Sequence, residues 1–488
     1  MCIFGYNSEV RRTMTNKETS AMINSFTKLY FPGINRLTFF VVTLSILSYS
    51  FALFPSRNHW DTAKILELAR EGKSSDQWTA SYFRFLEALT FSGRFGMIPA
   101  ILGLTLLVLA FLFFISSFSY KEVPLNLLAR LFLFSPFIGV FGMTLTHEVQ
   151  STTGVLILIG ILIRKLKSNW FNVQEYRFLI LFSALMLSMI HTGIFIFFGF
   201  CVAYFIILRK NWVFLTIIGS VLFLVTLFGH SILGVVEQGK ALRYQSFLGD
   251  IKCIAQHPDA KISPSDWKVL LQSGSQEEWI APSTCAYSQV YFAFPWVEKN
   301  QTSTLKLWLK LSSQNPQLAL EARIQRAANV LPPLIFTAPQ NAIAIDYLEP
   351  VGITVQDDLL VWSPLFKTSN DDAYQRMRFP KINAMKNFEA VAILPAHFLN
   401  RNSSLWGWAG LWLSVAILLL FLSNSLKLRE ILVVFLPQVF TCISLIIFSP
   451  ISDPRYSMSV TLPSIVISAL FLPELFKKIR NLNLTDAD

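Results

Sequence analysis

Two carboxylates stand out by position. Asp61 closes the polar stretch Arg57-Asn58-His59-Trp60-Asp61, and Glu148 closes Thr146-His147-Glu148 between two apolar runs. A carboxylate within reach of a hydroxyl can take its proton as general base, while a second orients the acceptor or a cation. Arg455 lies in Asp453-Pro454-Arg455-Tyr456, and its planar fork suits phosphate oxygens. Trp60 and Tyr456 could stack on a sugar or mark the membrane–water boundary, the commoner role of such aromatics. His59, His147 and Glu148 could hold a metal ion if their loops converge; a His beside an apolar run otherwise serves as a structural hydrogen bonder. Asp76, in Gly72-Lys73-Ser74-Ser75-Asp76, and His191, in Ile190-His191-Thr192-Gly193, complete the set. For Asp76 and Asp453 an ordinary solvated loop is an equal reading, whereas Glu148 sits in a very short turn. Charged groups at membrane boundaries that face one compartment are functional candidates by default.

The elements that would position these residues are apolar. Hydrophobic residues make up 53% of the 488 and charged residues only 15%, with 44 Phe. Soluble domains carry roughly 25% charged residues, so the composition argues against a cytosolic enzyme, a disordered chain and a nucleic-acid binder. The pattern reads as an all-α polytopic membrane protein with about ten spans, near 37–54, 97–117, 127–146, 150–163, 177–190, 193–208, 212–233, 405–423, 430–448 and 457–473. The long run 177–208 is split at His191-Thr192-Gly193. The first run starts near Leu37 and reads as a signal anchor. With both termini cytoplasmic, Lys and Arg crowd the short inner loops (Lys121; Arg164, Lys165 and Lys167; Arg209 and Lys210; Lys427 and Arg429), while the short outer turns carry Arg455 alone. That is the positive-inside pattern, and it accounts for the net charge of +11.

Three regions follow: a transmembrane module over 1–233 of seven spans, with a first outer loop at 55–96; an extracytoplasmic insertion over 234–404, mixed or mostly helical; and a module over 405–488 of three spans and a cytoplasmic tail. The runs 304–311 and 317–330 read as helices, the second stopped by Pro332-Pro333. Such segments either lie on the bilayer surface, with Lys306, Lys310 and Arg323 facing headgroups, or belong to a solvated domain. Cys253 and Cys285 both fall in the insertion and could pair in an oxidising compartment.

On these motifs the chain resembles the GT-C superfamily of membrane glycosyltransferases, in a bacterial branch with a first-loop Asp (here Asp61), a Gly-x-x-Ser-Asp stretch (Gly72 to Asp76) and a late Asp-x-Arg-Tyr element (Asp453 to Tyr456). It departs where relatives have Lys-Asp and this chain has His147-Glu148, and where they have Arg and this chain has Ile190. The resemblance implies a GT-C-like fold in the bacterial inner membrane and an inverting glycosyltransferase. Its donor would be a polyprenyl-phosphate-linked sugar, and its acceptor a glycan, lipid or protein. Asp61 would then be the base, Glu148 the second carboxylate and Arg455 a phosphate contact, with Tyr456, Asp453, His59, Trp60, Asp76, His147 and His191 around the substrate. Some relatives use a divalent cation such as Mg or Mn. Rival readings are a lipid-linked polysaccharide polymerase or ligase, a transporter, or a non-catalytic membrane protein of the same descent.

Overall fold

The computed structural model describes residues 31, 36–52, 57–58, 65–66, 68–69, 71–74, 78–91, 97–118, 136–167, 173–208, 212–236, 240–282, 285, 290–331, 408–423, 426–449 and 454–485. In chain order the elements begin with α1 (Arg36–Ala52), β1 (Arg57–Asn58), α2 (Ala80–Leu89), α3 (Met97–Phe118), α4 (Pro136–Met143) and β2 (Thr144–Leu145). The first apolar group is completed by α5 (His147–Lys167), α6 (Val173–Leu187), α7 (Gly193–Leu208) and α8 (Trp212–Ile232). The insertion contributes α9 (Gln245–Ala255), α10 (Pro264–Leu270), α11 (Gln276–Ile280), α12 (Phe294–Val297), α13 (Gln301–Gln314) and α14 (Pro316–Arg326). Four helices follow: α15 (Ala409–Leu422), α16 (Leu428–Val434), α17 (Leu436–Phe448) and α18 (Met458–Thr485).

The mostly helical character agrees with the expectation; the number of spans does not. Among the described residues three helices are long and apolar enough to cross a bilayer: Ile98–Phe118, His147–Lys167 and Val213–Ile232. The pair α16–α17, bent by 53° at Phe435, makes a fourth if taken as one broken span. The expectation of about ten spans, and of a GT-C-like fold built on them, is corrected to three or four among the described residues; residues 127–135 of the expected span 127–146 lie outside them. Leu37–Phe51, Tyr176–Leu187, Gly193–Ile207, Ala409–Leu422 and Met458–Pro473 are apolar but only 10–17 residues long. At about 1.5 Å per residue each of these apolar segments falls short of the roughly 30 Å hydrocarbon core. Apolar composition was legible in the runs, but helix ends were not. The bend at Phe435, just before Pro437, divides 430–448, and α18 carries Pro463 and Pro473 inside a helix that runs on to Thr485. In the opposite direction, the run 150–163 extends at both ends into the 21 residues of α5. These few long apolar helices are consistent with a multi-pass membrane protein.

The centre of the bundle is α5. It packs against α3, α6, α7 and α18, and 89% of its apolar window is buried. By contrast only 22% of the α8 window is buried, and Val213, Ile217, Val221, Leu224 and Phe228 of α8 are exposed. Such a face suits lipid. At its C-terminal end α5 carries Arg164, 5% exposed. Its guanidinium donates to Ser117 Oγ at 3.0 Å, Ser116 Oγ at 2.6 Å and Tyr176 Oη at 3.2 Å, and lies 4.0 Å from the Phe113 ring centroid. The turn between α6 and α7 falls where the His191-Thr192-Gly193 break was read. Gly193 is required there, because a Cβ would lie 1.9 Å from the Leu187 carbonyl oxygen.

The insertion helices have their own core around Trp279, Leu248, Ile251, Val297 and Leu311. Cys253 and Cys285 form a disulfide, with Cα atoms 5.6 Å apart. Of the basic residues that could have faced headgroups, Lys306 is exposed, Lys310 pairs with Asp266 at 2.6 Å and Arg323 is turned inward onto Asp250.

Candidate functional site

The first two turns of α5 read His-Glu-Val-Gln-Ser-Thr-Thr. This is an unusual start for a helix that meets so little solvent. Glu148 is 1% exposed, Gln150 4%, Ser151 2%, Thr152 0% and Thr153 1%. Two of the hydroxyls are satisfied within the helix: Ser151 Oγ donates to the Glu148 carbonyl at 3.0 Å, and Thr153 Oγ1 to the Val149 carbonyl at 2.9 Å. Thr146 Oγ1, Gln150 Oε1 and Thr152 Oγ1 are buried without a hydrogen-bond partner among the described residues. A buried polar atom left so costs about 1–3 kcal/mol.

Glu148 occupies the first turn of α5, where the exposed N–H groups and the helix dipole favour a negative charge. His147 Nε2 lies 3.3 Å from Glu148 Oε1. The imidazole packs edge-on to Tyr82, with ring centroids 5.4 Å apart. Tyr82 comes from α2, which starts with Thr79 accepting from the Tyr82 N–H. Its partner residues are pinned in turn: Arg84 donates to the carbonyls of Leu233 at 2.9 Å and Gly234 at 2.7 Å, and Val236 N donates to Ser74 Oγ at 2.8 Å. The segment between α1 and α3 is thereby tied to the exit of α8. Glu148 and Thr152, four residues apart, share one face of α5, whereas Thr146 and Gln150 lie nearly opposite.

The parallel pairing of β1 with β2 sets Arg57 opposite Thr144 and Asn58 opposite Leu145. The chain that leads into His59 therefore starts beside the chain that leads into His147. His59, Trp60, Asp61, Asp76 and Asp453 lie outside the described residues, as does the side chain of Arg455. The backbone of Arg455 belongs to a 3-10 turn over Pro454–Ser457. Tyr456 packs on a separate cluster with Ala327, Val330, Ala409 and Val460. His191 is exposed in the turn before α7. So His147 and Glu148 stand together, Tyr82 joins them, and Tyr456 belongs to another neighbourhood. Tyr82 carried no signal in the sequence; the polar run after His147 did.

A second charged cluster was not legible in the sequence. Asp250 of α9, 1% exposed, accepts from Trp308 Nε1 at 2.7 Å and Arg323 Nε at 2.7 Å and pairs with Arg326. Burial pulls Arg326 down to about 9 and Arg323 down to about 10, so both stay charged at neutral pH.

No protein-family model, no characterised protein and no solved structure matches the chain. The glycosyltransferase expectation is corrected on the structure itself. It rested on a many-span GT-C scaffold, and the described residues hold three or four candidate spans. Among those residues no group of three or more His, Cys, Asp or Glu is placed to hold a metal ion, as the cation-dependent form of that transfer would need. Transfer from a polyprenyl-phosphate donor is set aside with it, and so is the polymerase or ligase reading that shares its scaffold.

Proposed function

We propose that the protein is a membrane-embedded binding protein. In this reading it takes a ligand rich in N–H donors, most simply a protonated amine, at the N-terminal end of α5. The observation that supports this is Glu148: a carboxylate 1% exposed in the first turn of a candidate span, with Thr152 one turn further along the same face. Ionisable groups held at that depth are costly and mark ligand or ion sites by default. The Thr152 hydroxyl on the same face, buried without a partner among the described residues, favours a donor, and the carboxylate favours a cation. His147, 3.3 Å away, competes with the ligand for Glu148 when protonated.

The test is calorimetric titration of the protein in lipid nanodiscs with primary amines, quaternary ammonium ions and neutral polyols, wild type beside Glu148→Gln. A charge-assisted hydrogen bond is worth about 1.5–3 kcal/mol, so the expected loss in the variant is roughly tenfold to a hundredfold in Kd for the amines. Quaternary ions, which lack N–H donors, should bind more weakly to the wild type. Equal affinity of both proteins for every amine, or no binding by either, would overturn the reading.

A further inference from the structure

The Asp250 cluster has two guanidinium groups on one carboxylate, and its surplus positive charge is met by backbone carbonyls. Arg323, 13% exposed along its side chain, donates through Nη1 to Ser246 Oγ and to the carbonyl of Ile447. Ile447 is one residue from the end of α17, where the dipole is negative and a cation is favoured. Arg326, 1% exposed, donates through Nη1 to the carbonyl of Cys285 at 3.2 Å. Cys285 is bonded to Cys253, three residues beyond Asp250 on α9. The same helix thus carries the carboxylate that holds both arginines and the sulfur that fixes one arginine's acceptor. The far end of the chain of contacts is the second half of the bent pair α16–α17.

We propose that the Cys253–Cys285 disulfide and the Asp250–Arg323–Arg326 cluster form a redox-gated latch that holds the insertion helices against the end of α17. Cys285 is the more exposed of the two residues and is taken as the point of attack. A dithiol such as dithiothreitol adds one sulfur to Cys285 and releases Cys253 as thiolate. Its second sulfur then displaces Cys285, so that two protein thiols form and the dithiol closes to a cyclic disulfide. With the bond open, the Cys285 carbonyl is no longer tethered beside Arg326. A buried guanidinium that loses its acceptor destabilises the whole cluster, and the grip of Arg323 on Ile447 goes with it. The latch is independent of the amine site at Glu148.

Hydrogen exchange read by mass spectrometry, on folded protein in nanodiscs, tests the latch in oxidised, reduced and re-oxidised states. Reduction should raise exchange about tenfold or more in α14 and in the last turn of α17, leave α3 and α5 unchanged, and reverse on re-oxidation. Asp250→Asn should loosen the same amides with the disulfide intact. Complete reduction without a change at these amides would overturn the proposal. So would a change that spreads equally to α5, one that does not reverse, or a disulfide that resists reduction in the folded protein.

Discussion

Asp266 shows how one buried residue ties stability to pH. It is 5% exposed, and burial alone would raise its carboxyl. The hydrogen bonds from Lys310 and Ser263 and the Lys310 charge outweigh that and hold it below its ordinary value of 3.8. A carboxyl lowered by folding contributes stability that is fully present above the ordinary value and is lost as pH falls through the lowered one. The insertion helices should therefore resist mild acid, and Lys310→Met should move their acid unfolding to higher pH, followed by Trp279 fluorescence. Lys310 is half exposed, so the shift is small. An unchanged or lower midpoint would show that the pair contributes nothing. What was legible at this scale was chemistry carried by neighbours in sequence, His147 beside Glu148; the polar run Gln150 to Thr153 behind them was read as the start of an apolar span. Asp250 and Arg323 are 73 residues apart, and nothing local to either announces the other.

At the scale of elements, the junction between the insertion and the last helices is set by backbone. Gly410 N donates to the Asn329 carbonyl at 3.1 Å, Trp408 Nε1 to the Leu331 carbonyl at 2.8 Å, and Asn329 Nδ2 to Ser457 Oγ at 3.2 Å. A Cβ at Gly410 would lie 2.1 Å from the Leu331 oxygen, so the chains can approach only because it is glycine. Gly410→Ala should cost about 1–3 kcal/mol, seen as a lower thermal midpoint and as easier proteolysis near Leu331, whereas Gly219→Ala, where a Cβ meets only ordinary contacts at 3.7 Å, should cost far less. Equal melting of the two variants would place the constraint elsewhere. Elements were partly readable. The α6–α7 break lies at Thr192-Gly193 as read, and α13 and α14 overlap the runs read as helices, although α14 ends at Arg326, short of Pro332-Pro333. Span number was misread because hydropathy reports what a segment contains and not where its helix starts, stops or bends.

The whole molecule has two ends. Ser74 with Val236, β1 with β2, Arg323 with Ile447 and Asn329 with Ser457 all meet at one. Arg164 and Lys167 lie at the other end of α5, about 31 Å away for its 21 residues. In a background with Cys2, Cys201 and Cys442 replaced by Ala, Gly72→Cys and Gln276→Cys should react with a membrane-impermeant maleimide from the same side, and Lys427→Cys from the opposite side. Labelling of all three from one side would contradict a protein that passes through the bilayer. The burial of α5 also has a consequence for how the chain is made. A segment that opens with Glu148, Gln150, Ser151, Thr152 and Thr153, with mean hydropathy 1.5 against 2.8 for α3, gains little from lipid by itself. Its stability there depends on neighbours that close over it. The earlier-synthesised α3 must already be in place to receive it, and α18, at the other end of the chain, completes the enclosure. Assembly around α5 is thus ordered in time, and its enclosure is complete only after α18 has been made.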